Sequence, residues 1–321
     1  MLIGLTYNLK SYYLAKGFSA ELVAEFDSEE TINAIENALK NGGHEVVRIG
    51  PLEELVQRLQ MAEKWDLVFN IAEGMYGIGR EAQIPALLDA YQIPFTFSST
   101  EISALALDKG LTNVIMKARG IKVADFKVVS TIKDANKVKI PFPLFVKPIA
   151  EGTSKGINKF SKIESKEALI SQCEYIFKTF HQPAMVEEYL PGREFTVGII
   201  GNGASAKAIG VMEITSVGDA DAEAYTYDNK QLYENRIVYS IVDEPKVEKL
   251  ALKAWNIMNA SDAGRVDIRC NSKGEPCFME LNTMAGLNPT YSDICILCKL
   301  KGFPYDKLIN TIVDSAISRL R

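Results

Sequence analysis

The chain has 321 residues, of which 47% are apolar and 24% charged, and a net charge of -5. That length suits two or three domains with well-formed cores. The acidic balance, with no long Lys/Arg run, argues against a nucleic-acid partner, and no apolar run approaches the ~18 residues of a membrane span.

Residues 2–7 predict a first strand; they lack the basic stretch of a signal peptide, so a cytoplasmic protein is expected. Asp27-Ser28-Glu29-Glu30 predicts a helix N-terminus with acidic residues in its first turn. Ile32, Ile35 and Leu39 follow at helical spacing, and Gly42-Gly43 ends the helix. A strand at 45–49, an amphipathic helix at 52–62 and a buried strand at 67–71 continue the alternation. Strands alternating with helices imply a parallel sheet, so residues 1–100 read as a Rossmann-like unit. The turn after the third strand contains Glu73, Gly74, Gly77, Gly79 and Arg80 but lacks the dinucleotide fingerprint order. It reads equally as a tight connection or as a substrate loop.

A second unit begins near Glu101, with a helix expected over 104–116 that carries Asp108-Lys109. Pro143 to Pro148 predicts a strand containing Lys147, followed by Glu151-Gly152-Thr153-Ser154-Lys155-Gly156. Such a loop can turn several N–H groups toward phosphate oxygens, and a neighbouring Lys adds a point charge. It is not a Walker A loop; alone, a hairpin loop with a solvated Lys is the plainer reading. Ala184 to Ile200 predicts two strands joined by Pro191-Gly192; an extended linker offering backbone N–H and C=O with acidic groups suits an adenine edge and ribose hydroxyls, and alone it is merely two strands. The units fall at 101–185 and 186–321, the latter with a polar, lid-like segment over 218–235.

Two short alternating runs, 264–270 and 277–282, flank a turn rich in Gly, Asn and Pro. They predict a β-hairpin with Arg265, Asp267 and Arg269 on one face and Glu280 and Asn282 beside them. Two carboxylates and an amide suit Mg²⁺ or Mn²⁺, which completes its shell with phosphate and water; a solvated hairpin face is the bland alternative. Five cysteines, an odd number, fit reduced thiols, and Cys295 and Cys298 lie in an apolar segment where burial is the expected role.

In order and spacing, Asp108-Lys109, Lys147-Pro148 with Glu151 to Gly156, Glu187 to Glu194, Arg265 with Asp267, and Glu280-Leu281-Asn282 with Gly286 resemble the D-alanine–D-alanine ligases of the ATP-grasp superfamily. The resemblance covers nearly the whole chain. It implies an α/β ATP-grasp fold: the Rossmann-like domain plus two domains that grip ATP between them. It further implies Lys109, Lys147 and the lid lysine Lys230 at the phosphates, and a phosphate loop with Glu151, Thr153 and Ser154. Glu187 with the backbone of Glu188 and Leu190 would hold adenine, and Glu194 ribose. Asp267, Glu280 and Asn282 would hold Mg²⁺, and Arg265 and the Gly286 amide an oxyanion.

The implied activity is formation of a dipeptide from ATP and two amino acids through an acylphosphate. The implied partners are small molecules, with no nucleic acid and no membrane; monomer or homodimer is left open. Departures gather at the amino-acid end. Glu25 stands nearest the family's first-substrate glutamate, Glu73 replaces a histidine, Gln231 a lid tyrosine, and Ser292 best matches the serine for the second carboxylate. A ligase for another amino acid or peptide, an ATP-grasp phosphotransferase, and a nucleotide-binding protein without catalysis are the competing readings. Arg265 with Gly286 favours a ligase over a kinase, because a kinase has no tetrahedral acyl intermediate to stabilise.

Overall fold

The computed structural model describes residues 1–216 and 237–320. Strands β1 (Leu2–Thr6), β2 (Glu45–Gly50) and β3 (Leu67–Asn70) form a parallel sheet in the order β2-β1-β3. Between them run the helices Glu29–Asn41 and Leu52–Gln60. Ser28 caps the first of these, its side chain accepting from the Thr31 N–H, and Ile32, Ile35 and Leu39 form its buried face, as the spacing implied. A short helix at Lys10–Ala15 has no counterpart in the sequence reading. It makes no side-chain cap hydrogen bond and has no acidic first turn, the signals by which such a start is read.

The helix expected over 104–116 is two helices, Thr100–Leu107 and Lys109–Ala118. Asp108 separates them: its backbone is extended and its side chain accepts from the Leu111 N–H. The cap ends one helix and starts the next, which lets Lys109 leave the first helix's face.

Strands β4 (Phe126–Val129), β5 (Leu144–Pro148), β6 (Lys162–Ile163) and β7 (Ala184–Glu188) form an antiparallel sheet in the order β4-β7-β5-β6. Strands β8 (Glu194–Ile200), β9 (Lys207–Ser216), β10 (Ile237–Val242), β11 (Ala263–Cys270) and β12 (Pro276–Asn282) form a second, in the order β10-β9-β8-β11-β12. The two strands flanking Pro191-Gly192 therefore enter different sheets, and that turn is a crossing rather than a hairpin. The expected division between residues 185 and 186 falls inside β7.

Packing ties the ends of the chain together. Ile3, Leu5 and Leu39 share a core with Leu308, Ile312 and Val313 of the helix Tyr305–Ser318. Behind the hairpin, Val266 and Ile268 pack with Trp255 of the helix Pro245–Met258, all three fully buried. Burying an aliphatic side chain this completely contributes about 1.5–3 kcal/mol relative to exposure. The hairpin is thus held rigidly from its apolar face, and its polar face is free to carry chemistry.

Candidate active site

The β11–β12 register pairs Arg265 with Asn282 and Asp267 with Glu280, with a bulge after Asp267. Alternation then brings all four side chains to one face. The Asn282 amide lies 3.2 Å from Asp267 Oδ2 and 3.4 Å from Glu280 Oε1. Turned over, the same amide presents its oxygen in place of its Nδ2, so the trio offers the all-oxygen donor set that a hard divalent cation takes. Arg265 donates to Asp267 and stands 3.7 Å from Asp293, whose side chain is buried.

Burial and the nearby Glu280 charge push Asp267 up to about 6, although Arg265 opposes them. Burial also acts to raise Glu280, but Lys109, Arg265 and Lys147 outweigh it and hold that carboxyl well below the usual range. Thr196, directly opposite Asp267 on β8, donates a hydrogen bond from its hydroxyl to the Asp267 carboxylate. Sequence reasoning missed Thr196 and Asp293. The period of two running from Glu194 would have found the threonine; the acidic first turn after Ser292 would have found the aspartate.

Across from the hairpin, Lys147 on β5 lies 2.7 Å from Glu187 on β7, both side chains less than a tenth exposed. Burial acts to lower Lys147, but Glu187 and Glu280 raise it overall, so its charge persists. Lys109 lies 3.4 Å from Glu280 and donates to the Glu151 carbonyl at 2.7 Å. Glu194 sits 3.3 Å from Arg269; burial pushes its carboxyl up. Glu188 and Leu190 line the same pocket as Lys147, and the Glu188 N–H donates to the Asp125 carbonyl at 2.8 Å.

The loop between β5 and β6 carries Thr153 and Ser154, both in left-handed backbone at φ 48° and 57°. It separates two spaces. One is the pocket between the antiparallel sheets; the other is a cavity of about 290 Å³ bounded by the N-terminal unit. Lys109, Gly152, Thr153, Arg265 and Glu280 line both, so the spaces meet at these residues.

The second cavity also holds Asp27, Glu73, Glu81, Gly286 and Ser292. Gly286 lies so close to Ser292 that an added Cβ would stand 3.0 Å from its hydroxyl, and that hydroxyl accepts from the Asn288 N–H at 2.9 Å. Burial pushes Asp27 and Glu81 up to about 7, and burial, with the carboxylates of Glu81, Glu25 and Asp27 adding to it, raises Glu73 well above its ordinary value. Glu25 lies at the wall, its carboxylate tied to Arg80 and Lys155. Neither cation was singled out from sequence, because the group is assembled from three separate segments, around residues 25, 80 and 150–155. Lys230 and Gln231 lie outside the described residues. Cys295 and Cys298 are free, buried thiols, pushed up by that burial and remote in character from metal ligands.

The family model described as the D-ala D-ala ligase C-terminus matches residues 115–314. The chain is 33% identical over 289 residues to a D-alanine–D-alanine ligase of Aquifex aeolicus, covering 89% of this chain and 94% of the relative. It is 31% identical over 313 residues to one from Chelativorans sp., covering 94% and 96%. Among solved structures it is similar to the Bacillus anthracis D-alanine–D-alanine ligase complexed with ATP, with a TM-score of 0.75 and 21% identity over 99% of this chain and 98% of that one. A Coxiella burnetii D-alanine–D-alanine ligase gives 0.71 and 18%, covering 99% and 94%.

Proposed function

The chain belongs to the D-alanine–D-alanine ligase family and has its ATP-grasp fold, and from that premise we propose that it joins two amino acids, D-alanine first among them, at the expense of ATP. The observation that carries this reading is the meeting of the two spaces at Lys109, Arg265 and Glu280. A phosphoryl group arriving from one side and a carboxylate from the other would react between them. The first substrate's carboxylate attacks the γ-phosphorus and ADP leaves, giving an acylphosphate. The second substrate's amine then attacks the acyl carbon, loses a proton, and the tetrahedral intermediate expels phosphate. Carboxylate oxygen is a poor leaving group and phosphate a good one, which is why ATP is needed.

Lys147 and Lys109 are held against Glu187 and Glu280, and in this reading they turn to phosphate oxygens as the nucleotide enters. Glu187, Glu188 and Leu190 hold adenine, and Glu194 ribose. Arg265 and the Gly286 amide stabilise the oxyanion of the tetrahedral intermediate. Asp267, Glu280 and Asn282 would hold Mg²⁺, which when bound neutralises charge on the transferring phosphoryl group. Thr153 and Ser154 border the transferred group. Glu73 and Ser292 face the amino acids; the roles of Lys230 at phosphate and Gln231 at an amino acid rest on the family resemblance alone. The expected units are residues 1–100, 101–185 and 186–321; keeping β7 whole within the middle sheet moves the second boundary past Glu188. A cytoplasmic, small-molecule enzyme accords with the ATP requirement; no helix among the described residues is long and apolar enough to cross a membrane.

The test is incubation with ATP, Mg²⁺ and a panel of D- and L-amino acids, following ADP and phosphate and identifying products by mass. Dipeptide formed in step with phosphate supports the ligase. A phosphorylated acceptor that accumulates without a dipeptide means a phosphotransferase instead.

A further inference from the structure

The resemblance led to the expectation that Glu25 meets the first substrate, yet its carboxylate is already engaged on every side the structure describes. Arg80 reaches both carboxylate oxygens, at 3.2 and 2.9 Å, and its other nitrogen donates to the Ala150 carbonyl at 2.7 Å. Lys155 lies 3.0 Å from Glu25 Oε2 and pairs as well with Glu151. The Gly152 N–H donates to Glu25 Oε1. Two carboxylates and two cations thus form a balanced group whose side chains are each about a tenth exposed or less.

Three further features tie this group to the loop over 150–156. Gly152 permits the approach: a Cβ there would stand 2.6 Å from Glu25 Oε1. Gln182 grips the same stretch, accepting from the Ala150 N–H at 2.8 Å and donating to Glu151 at 2.6 Å. Thr153 and Ser154 keep left-handed backbone, which non-glycine residues retain only where the surroundings over-determine it. An arriving ammonium would have to displace Arg80 or Lys155 from Glu25 and leave both buried cations to share Glu151, an unfavourable exchange.

We propose that Glu25, Arg80 and Lys155 form a positioning clamp that fixes the loop over 150–156 against the N-terminal unit, and that Glu25 is closed to the substrate's ammonium group. The proposal rests on the ligase reading for the identity of that loop with the phosphate loop. Arg80 and Lys155 are then positioning residues acting through Glu25 and Gly152. Although burial acts to raise it, Glu25 is held down at about 2 by the two cations, so it stays anionic throughout the working pH range.

The experiment compares D-alanine with propionate, which has the same carbon skeleton without the ammonium group. Wild type, Glu25→Gln, Arg80→Lys, Arg80→Met, Lys155→Met and the charge-balanced Glu25→Gln/Lys155→Met are each given ATP, Mg²⁺ and hydroxylamine, which traps acylphosphate as hydroxamate. The clamp predicts that Glu25→Gln lowers kcat for both acids together, by roughly ten- to a hundredfold, the scale on which small misplacements act. The preference for D-alanine over propionate stays within about twofold of wild type, and Arg80→Lys retains more activity than Arg80→Met. A Glu25→Gln enzyme that loses its preference for D-alanine while turning over propionate normally overturns the proposal.

Hydrogen exchange reads the clamp without any turnover. Amides of residues 150–156 should exchange faster in Glu25→Gln and Lys155→Met, while those of β8 stay protected; unchanged exchange in the loop overturns the proposal. If wild type makes no hydroxamate and releases no ADP with any amino acid, the ligase reading fails, and the exchange result still decides the clamp.

Discussion

The pocket between the two antiparallel sheets and the cavity beside the N-terminal unit share a wall but handle charge in opposite ways. On the pocket side, cations are stored against carboxylates: Lys147 with Glu187, Lys109 with Glu280, Arg269 with Glu194. On the cavity side, Asp27, Glu73 and Glu81 have no ion pair within 4 Å among the described residues, and burial lifts all three. A site that receives a polyanion needs cations that stay charged and can exchange one oxygen partner for another. The opposite wall, rich in acids that resist ionisation, suits ligands that bring positive charge or hydrogen-bond donors.

The sharpest break in this comparison lies at the shared wall. Glu280→Gln or Asp267→Asn should lower Mg²⁺-dependent turnover by roughly 10²–10³-fold, the scale of losing one preorganised electrostatic contact to the transition state. Circular dichroism should remain that of wild type. Near-normal rates under limiting Mg²⁺ would remove these residues from the metal assignment.

Next in size is Lys147→Met, confined to the pocket. ATP should bind roughly ten- to a hundredfold more weakly, the worth of a charge-assisted hydrogen bond, and adenosine much less so. Calorimetric titration with both ligands reads the difference; equal losses move Lys147 away from the phosphates. The variant also leaves Glu187 buried without its cation, so stability should drop by about 3–5 kcal/mol.

Arg265→Lys keeps a charge and loses the planar fork. An effect on kcat of roughly tenfold, larger than the change in the KM for ATP, is expected where geometry matters more than net charge. An unchanged kcat would leave the oxyanion role without support.

The last prediction tests the cavity through pH, in stability rather than turnover. Glu81 faces Glu73, Glu25, Arg80 and Lys109. Burial, with Glu25 adding to it, lifts its carboxyl from an ordinary 4.5 to about 7 against the pull of Arg80 and Lys109. Between those values the folded chain binds a proton that the unfolded chain has released. The associated stability is therefore complete below about pH 4.5 and is lost as pH rises through about 7. Glu81→Gln, which stays neutral, should match wild type at acid pH and exceed it above pH 7 by on the order of 1–3 kcal/mol. Urea midpoints at pH 4.5 and 8 measure this; equal differences at both would show that the carboxyl is not lifted.

Much of this was legible in sequence, and the reasons differ from residue to residue. Alternation alone set Arg265, Asp267, Glu280 and Asn282 on one hairpin face, because a strand's period leaves only two sides to choose from. Ser28 announced its helix by cap chemistry. Asp108, also a cap, was read as interior, because a cap between two apolar helices looks locally like one continuous pattern. Pro191-Gly192 read only as a turn joining two strands, because turn chemistry says where a chain bends but not which sheet receives it.

The sequence by itself determined the strands and helices with strong periods or caps, the hairpin's polar face and the family, since these depend on local periods and on motifs whose spacing survives in the chain. Only the tertiary structure decided which charges meet. Glu25, Arg80 and the loop over 150–156 are far apart in the chain, and their union depends on how the N-terminal unit packs against the central sheet. A buried charge is governed by every group within a few ångströms, and no local pattern encodes that company.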